Sequence, residues 1–190
     1  MTVIRTFVAV LIAEEIRDKI SEAQEALKQL APRINWVAPG NFHVTLKFLG
    51  NVHEDSLPDL CSAVEKAVEG LKPFDIAFGD LGAFPNPRSA RVVWAGIREG
   101  GKALSSLAGA VEDELAELGF EREDRPFRAH VTIGRVKDSK TLGRLAEGIK
   151  EVNAQDLGAQ RVESVCIMQS ELLREGPRYS PLCEVKLTAE

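Results

Sequence analysis

His43-Val44-Thr45-Leu46-Lys47-Phe48 and His130-Val131-Thr132-Ile133-Gly134-Arg135 are two versions of one six-residue phrase, and their reading decides the fold. Each is a short run of β-branched and apolar residues, the composition of a strand. In a strand, side chains at i and i+2 share a face. His43 and Thr45 therefore point one way, and Val44 and Leu46 point the other way into a core. His130 and Thr132 repeat the arrangement. The chain has only three histidines in 190 residues, and two of them open this phrase. A single His-x-Thr occurs freely by chance; two copies, each inside a His-Val-Thr-apolar run, carry information.

The elements around the two phrases fall in the same order. A strand is expected over 5–12 and an amphipathic helix over 14–30, with Ile16, Ile20, Ala23, Leu27 and Leu30 at spacings of three and four. Pro32 ends that helix, and Gly50-Asn51 closes the first motif strand. A second helix runs from about 54 to 69 and stops at Gly70. A strand over 74–79 follows, then a rigid loop, Phe84-Pro85-Asn86-Pro87-Arg88-Ser89. The second half reads as a strand over 91–97, a helix over 102–118, the motif strand over 129–136, a helix over about 140–150 and a strand over 161–169. Arg5 lies 38 residues before His43, and Arg91 lies 39 before His130. This spacing predicts an internal duplication, roughly 5–80 and 91–170, within one bilobal domain spanning 1–190. A last strand, about 181–188, has no first-half counterpart. The expected fold class is α+β: two pseudo-symmetric lobes, antiparallel sheets lining a central groove, and helices on the outside.

Composition sets the bounds. Hydrophobic residues make up 44% of the chain and charged residues 28%, as in an ordinary globular domain. With a net charge of -5, no broad electrostatic grip on duplex nucleic acid is expected. Cys61, Cys166 and Cys183 lack the spacing of a disulfide frame or zinc site and read as small core residues in a reducing, cytoplasmic compartment. No stretch is long enough to cross a membrane. Three other features take ordinary readings. Gly96 to Ala103 imitates a phosphate-binding loop, but Ala103 replaces the magnesium-binding hydroxyl, so a turn and cap is expected. His53 reads as a solvated loop residue, and Glu112-Asp113-Glu114 as an exposed helix face.

Two imidazoles and two hydroxyls on strand faces suit proton transfer around a phosphate. One neutral histidine takes a proton while a protonated one gives a proton, both near neutral pH. Thr45 and Thr132 can donate to non-bridging phosphate oxygens. Lys47 is in phase with His43 and is the basic candidate by periodicity. Strict alternation aims Arg135 away from His130, unless Gly134 marks a bulge that turns it back. Trp36, Phe84, Phe127 and Tyr179 are candidates for contact with a base or ribose, and Arg88, Arg125 and Arg128 for a flanking phosphate.

The paired His-x-Thr phrases resemble the signature of the two-histidine (2H) phosphoesterase superfamily. Within it, the chain is most similar to the RNA 2',3'-cyclic phosphodiesterases, also called 2'-5' RNA ligases. The likeness extends over most of residues 5–185, through Phe7-Val8-Ala9-Val10, Trp36 to Gly50, Gly82 to Pro87, Val92 to Gly96, and Ser170-Glu171-Leu172 with Gly176 and Tyr179. The resemblance implies metal-independent hydrolysis of an RNA 2',3'-cyclic phosphate end to a 2'-phosphomonoester by a monomer without cofactor. It also implies reversible 2'-5' ligation, His43 as proton donor, His130 as proton acceptor, and Arg135 as a phosphate ligand. Two alternatives accompany it: a cyclic phosphodiesterase for a small nucleotide such as an ADP-ribose cyclic phosphate, and a non-catalytic RNA-end-binding module.

Overall fold

A computed structural model describes residues 2–138, 140, 142–152, 154–174 and 176–188. The first helix, α1 (Glu14–Leu30), forms where the apolar stripe predicts, with Ile16, Ile20, Ala23 and Leu27 buried. Glu14 and Glu15 in its first turn and Lys28 in its last complement the helix dipole. The remaining helices are α2 (Leu57–Val68), α3 (Gly101–Glu117) and α4 (Leu145–Val152). Part of the stretch expected to form the fourth helix, residue 141, lies outside the described residues.

The strands are β1 (Val3–Leu11), β2 (Asn35–Trp36), β3 (His43–His53), β4 (Phe74–Phe84), β5 (Val92–Glu99), β6 (His130–Arg135), β7 (Ala159–Val162), β8 (Ser164–Leu173) and β9 (Gly176–Lys186). Among the described residues they form one sheet in the order β7-β4-β5-β6-β3-β1-β8-β9, with β2 beside β6. The neighbouring strands are antiparallel. The expected sheets of two lobes thus join into one, through Val44 opposite Val131.

The region expected as one strand over 161–169 is two. β7 pairs with β4 and β8 with β1, at opposite ends of the sheet, with Glu163 alone between them. The sheet must therefore curl until its ends approach. Gln160 ties the closure, donating from Nε2 to Leu11 O at 2.8 Å and accepting at Oε1 from Ala13 N–H at 2.8 Å. One face of this curled sheet carries Val8, Val10, Val44, Leu46, Val131 and Ile133 into a core shared with the helices. The other face carries the histidines and a small apolar patch of Phe7, Ala9, Cys166 and Met168, flanked by Tyr179.

Gly50 does not close the first motif strand. It takes a φ of +73°, where glycine is favoured, and β3 continues to His53 past a bulge opposite Thr6 and Phe7. Similarly, β4 runs five residues beyond its expected end, to Phe84, so that this ring stands on a strand rather than in a loop.

Candidate active site

The two motif strands share one irregularity. Beside β1, Ala9 faces Thr45 but Val8 faces Lys47, leaving Leu46 as an extra residue. Beside β5, Trp94 faces Thr132 but Val93 faces Gly134, leaving Ile133 extra. Each motif thus carries a bulge just after its threonine, and the side chains that follow it directly change face. The residues on the histidine side after the bulge are Phe48 and Arg135, both exposed. Lys47 and Gly134 turn inward.

This corrects the expectation for Lys47. Its side chain is 3% exposed, and its ammonium donates to Glu112 Oε1 at 3.1 Å and to Glu121 O at 2.7 Å. Glu112 also accepts the backbone N–H of Glu123 at 2.6 Å; that bond, followed by the Lys47 contact, holds its carboxyl below the usual range. Lys47 therefore anchors the loop leading into the second motif, and Glu112 is a partner rather than a purely exposed face. Removing one member of such a pair leaves the other half-desolvated. Lys47→Ala is expected to lower unfolding free energy by about 1–3 kcal/mol, read from the urea midpoint, with little change in turnover. A severe turnover defect with unchanged stability would return Lys47 to the phosphate.

Gly134 has a packing reason. A Cβ there would lie 3.0 Å from the Trp36 ring and 3.1 Å from Ile34. Trp36 itself donates its indole N–H to Ala31 O at 3.2 Å and packs on the inward side, so it is a structural residue and not a wall of the groove. Phe127 likewise packs against the main core. The bulge frees the Ile133 carbonyl, which accepts from Val37 N–H at 3.0 Å and from the buried Gln24 Nε2 at 2.8 Å. Gln24 also donates to Val37 O at 2.7 Å, so α1 clamps the bulge that aims Arg135.

The histidines are set in matching ways. His43 Nδ1–H donates to Asn41 O at 2.8 Å, and His130 Nδ1–H donates to Arg128 O at 2.6 Å. A carbonyl only accepts, so each ring is protonated on Nδ1 and leaves Nε2 for proton traffic. Each ring also meets an aromatic edge-on: Tyr179 against His43 at 5.2 Å and 89°, Phe84 against His130 at 5.2 Å and 88°. Phe7 lies 4.7 Å from the His43 ring. Asn41 Nδ2 donates to Pro177 O at 2.7 Å, which holds β9, and Tyr179 with it, beside His43. Burial lowers the basicity of both imidazoles from the ordinary 6.5, the i-2 carbonyl bonds oppose the shift, and the Arg135 charge lowers them further. His130 also lowers His43, so the two rings and Arg135 occupy one electrostatic neighbourhood.

The structure thus brings together His43, Thr45, His130, Thr132, Arg135, Tyr179 and Phe84. Phe48, 52% exposed with its ring 6.0 Å from Phe7, joins them unanticipated. Only the second glycine-marked copy hinted at its bulge. Among the described residues, no group of three or more His, Cys, Asp or Glu side chains gathers as a metal site would require. No helix among them is long and apolar enough to cross a membrane.

The family model of LigT-like phosphoesterases matches this sequence twice, over residues 10–94 and 96–179. The chain belongs to the LigT-like phosphoesterases. An RNA 2',3'-cyclic phosphodiesterase of Methanothermobacter thermautotrophicus is 38% identical over 94% of the chain and 96% of the relative. One of Archaeoglobus fulgidus is also 38% identical, over 94% and 97%. Among solved structures, a Thermus thermophilus protein superposes with a TM-score of 0.79 at 27% identity, over 98% of this chain and 99% of that one. E. coli LigT complexed with 3'-AMP gives 0.76 at 26% identity, with the same coverage. This LigT-like phosphoesterase therefore shares its α+β fold with proteins that include a nucleotide complex.

Proposed function

We infer that this LigT-like phosphoesterase opens 2',3'-cyclic phosphates at RNA ends to 2'-phosphomonoesters, with His43 and His130 as general acid and base. The observation that carries this reading is the matched pair of imidazoles, each fixed in the same tautomer by the carbonyl two residues before it. In-line displacement puts the attacking water and the leaving oxygen on opposite sides of phosphorus. Base and acid must then come from opposite walls, and β3 and β6 supply one each. In this reading His130 Nε2 takes a proton from water while His43 Nε2 protonates the departing O3'. Thr45, Thr132 and Arg135 receive the phosphate oxygens. The exposed Phe48 ring and the Tyr179 ring offer stacking surface to the nucleoside. The net charge of -5 favours a short hold on an RNA end over a long duplex. Both histidines come from one chain, so a monomer suffices, and the halves at roughly 5–80 and 91–170 are read as copies of one unit. With a 5'-hydroxyl in place of water, the same proton transfers would join it to a 2',3'-cyclic phosphate through a 2'-5' bond.

The test is a panel of the four nucleoside 2',3'-cyclic monophosphates and a cyclic-phosphate-ended oligonucleotide, with products separated by chromatography. The expected product is the 2'-phosphate. A dominant 3'-phosphate would overturn the binding orientation, and no turnover on any member would overturn the activity. Because proton transfer by two imidazoles suffices for this chemistry, the rate should be unchanged in excess EDTA. Chelator inhibition reversed by added zinc or manganese would sink the acid-base reading.

A further inference from the structure

The face that carries the catalytic groups runs on past them. Along β3 the order is His43, Thr45 and, after the bulge, Phe48. Phe48 stands opposite Phe7 of β1, and Asn51 stands opposite Arg5. Both register shifts between these strands skip a residue of β3, Leu46 or Leu49, so β1 itself keeps strict alternation. Ile4 and Val8 face the main core, and Arg5 therefore shares the groove face with Phe7 and Ala9. It lies two residues beyond Phe7, about 6–7 Å of strand. Arg5 is exposed and makes no ion pair among the described residues. β8 pairs with β1 from Thr6 to Ala9 and from Ser170 onward only with β9, so at Arg5 the one strand beside β1 is β3.

Tyr179 links this cation to the catalytic centre. Its ring lies 5.0 Å from Phe7 and 5.2 Å from His43. Burial raises its hydroxyl above the ordinary 10, and the charges of Arg135 and then Arg5 oppose the shift. Both guanidiniums are thus within electrostatic reach of one phenol. Because β6 runs antiparallel to β3, Arg135 lies toward the start of β3, whereas Arg5 stands opposite Asn51 near its end. The two cations therefore approach Tyr179 from opposite directions. An RNA end with a cyclic phosphate has the same order. The reacting phosphate sits on O2' and O3', the nucleoside follows, and an ordinary phosphodiester sits on O5'. Arg135 with the two threonines, then the Phe48 and Tyr179 rings, then Arg5 match it group for group. A nucleoside cyclic phosphate alone would leave Arg5 without an anion.

We propose that Arg5 binds the phosphate on the 5'-oxygen of the reacting nucleoside, so that RNA ends of two or more nucleotides are favoured over a nucleoside cyclic phosphate. This rests on the hydrolytic reading above and adds to it a length preference and the residue that sets it. Arg128, whose guanidinium lies 5.7 Å from the Phe84 centroid, belongs to the His130 wall instead.

The experiment compares kcat/KM for adenosine 2',3'-cyclic phosphate, its 5'-phosphorylated form and a dinucleotide ending in the same cyclic phosphate. Wild type should favour both extended substrates by about tenfold or more, the worth of one charge-assisted hydrogen bond. In Arg5→Gln that ratio should largely disappear. A dinucleotide with a neutral methylphosphonate linkage should fall to the level of the unextended nucleoside in wild type, a comparison that needs no variant. An absent preference in wild type, an unchanged ratio in Arg5→Gln, or a full preference for the methylphosphonate overturns the subsite and leaves the hydrolytic reading standing. Absence of hydrolysis with every substrate overturns that reading, and the role of Arg5 with it.

Discussion

His43→Ala and His130→Ala are each expected to cut turnover of a nucleoside 2',3'-cyclic phosphate by roughly 10²–10⁴, the contribution of one positioned acid or base. The double variant should lose less than the product of the two, because one proton transfer is of little use without the other. The two losses should separate with the leaving group. An activated leaving group needs no protonation, so it should restore much of the rate to His43→Ala and little to His130→Ala. The opposite pattern would exchange the roles, and near-wild-type turnover in either variant would remove that histidine from the mechanism. Both variants should fold normally, since each ring is only half-buried and makes its single bond to a backbone carbonyl.

Arg135→Gln carries the second large expectation, a loss of about 10²–10³ in kcat/KM from removing one donor aimed at developing phosphate charge. It should also move the pH dependence, and the sign is fixed. A nearby cation disfavours imidazolium, so Arg135 lowers the basicity of both histidines, on top of their burial. The wild-type kcat/KM profile should be a bell whose two limbs lie below 6.5, the ordinary histidine value. In Arg135→Gln both limbs should shift to higher pH. A profile that falls in amplitude without shifting would place Arg135 out of electrostatic reach of the imidazoles.

How much of this was legible in the sequence depends on how local each cause is. Period-two alternation placed His43 with Thr45 and His130 with Thr132, because it holds as far as the threonines. The stripe of α1 was equally readable, from residue 14 to residue 30. Beyond the threonines the alternation fails. A bulge of one residue exchanges the faces, so Lys47 went inward to Glu112 and Phe48 outward to the groove. Nothing in Leu46-Lys47-Phe48 announces this, whereas Gly134 does mark the equivalent point before Arg135. The split at Glu163 was invisible for a different reason. Residues 161–165 read in sequence as one strand, and only distant partners, Asp75 for Arg161 and Lys186 of β9 for Ser164, divide it. Trp36 stayed only a candidate for base or ribose contact because its neighbours Asn35 and Pro39 gave no sign of the helix-side packing it makes over Gly134.

The order of strands has a consequence for ancestry and for dissection. Neither half keeps its third strand. β4, from the first half, lies between β5 and β7 of the second, and β8, from the second half, lies against β1 of the first. A polypeptide cut in the connection between β4 and β5 would yield two fragments, one leaving β2 and β4 without partners and the other β7, and each missing the strand that completes its own edge. Such fragments are built to find each other. A half-length forebear, had one existed, would have worked as an intertwined homodimer that traded its terminal strand with a twin. Fusion of the two copies would then have freed them to diverge, leaving Phe48 on one wall and Arg135 at the corresponding place on the other.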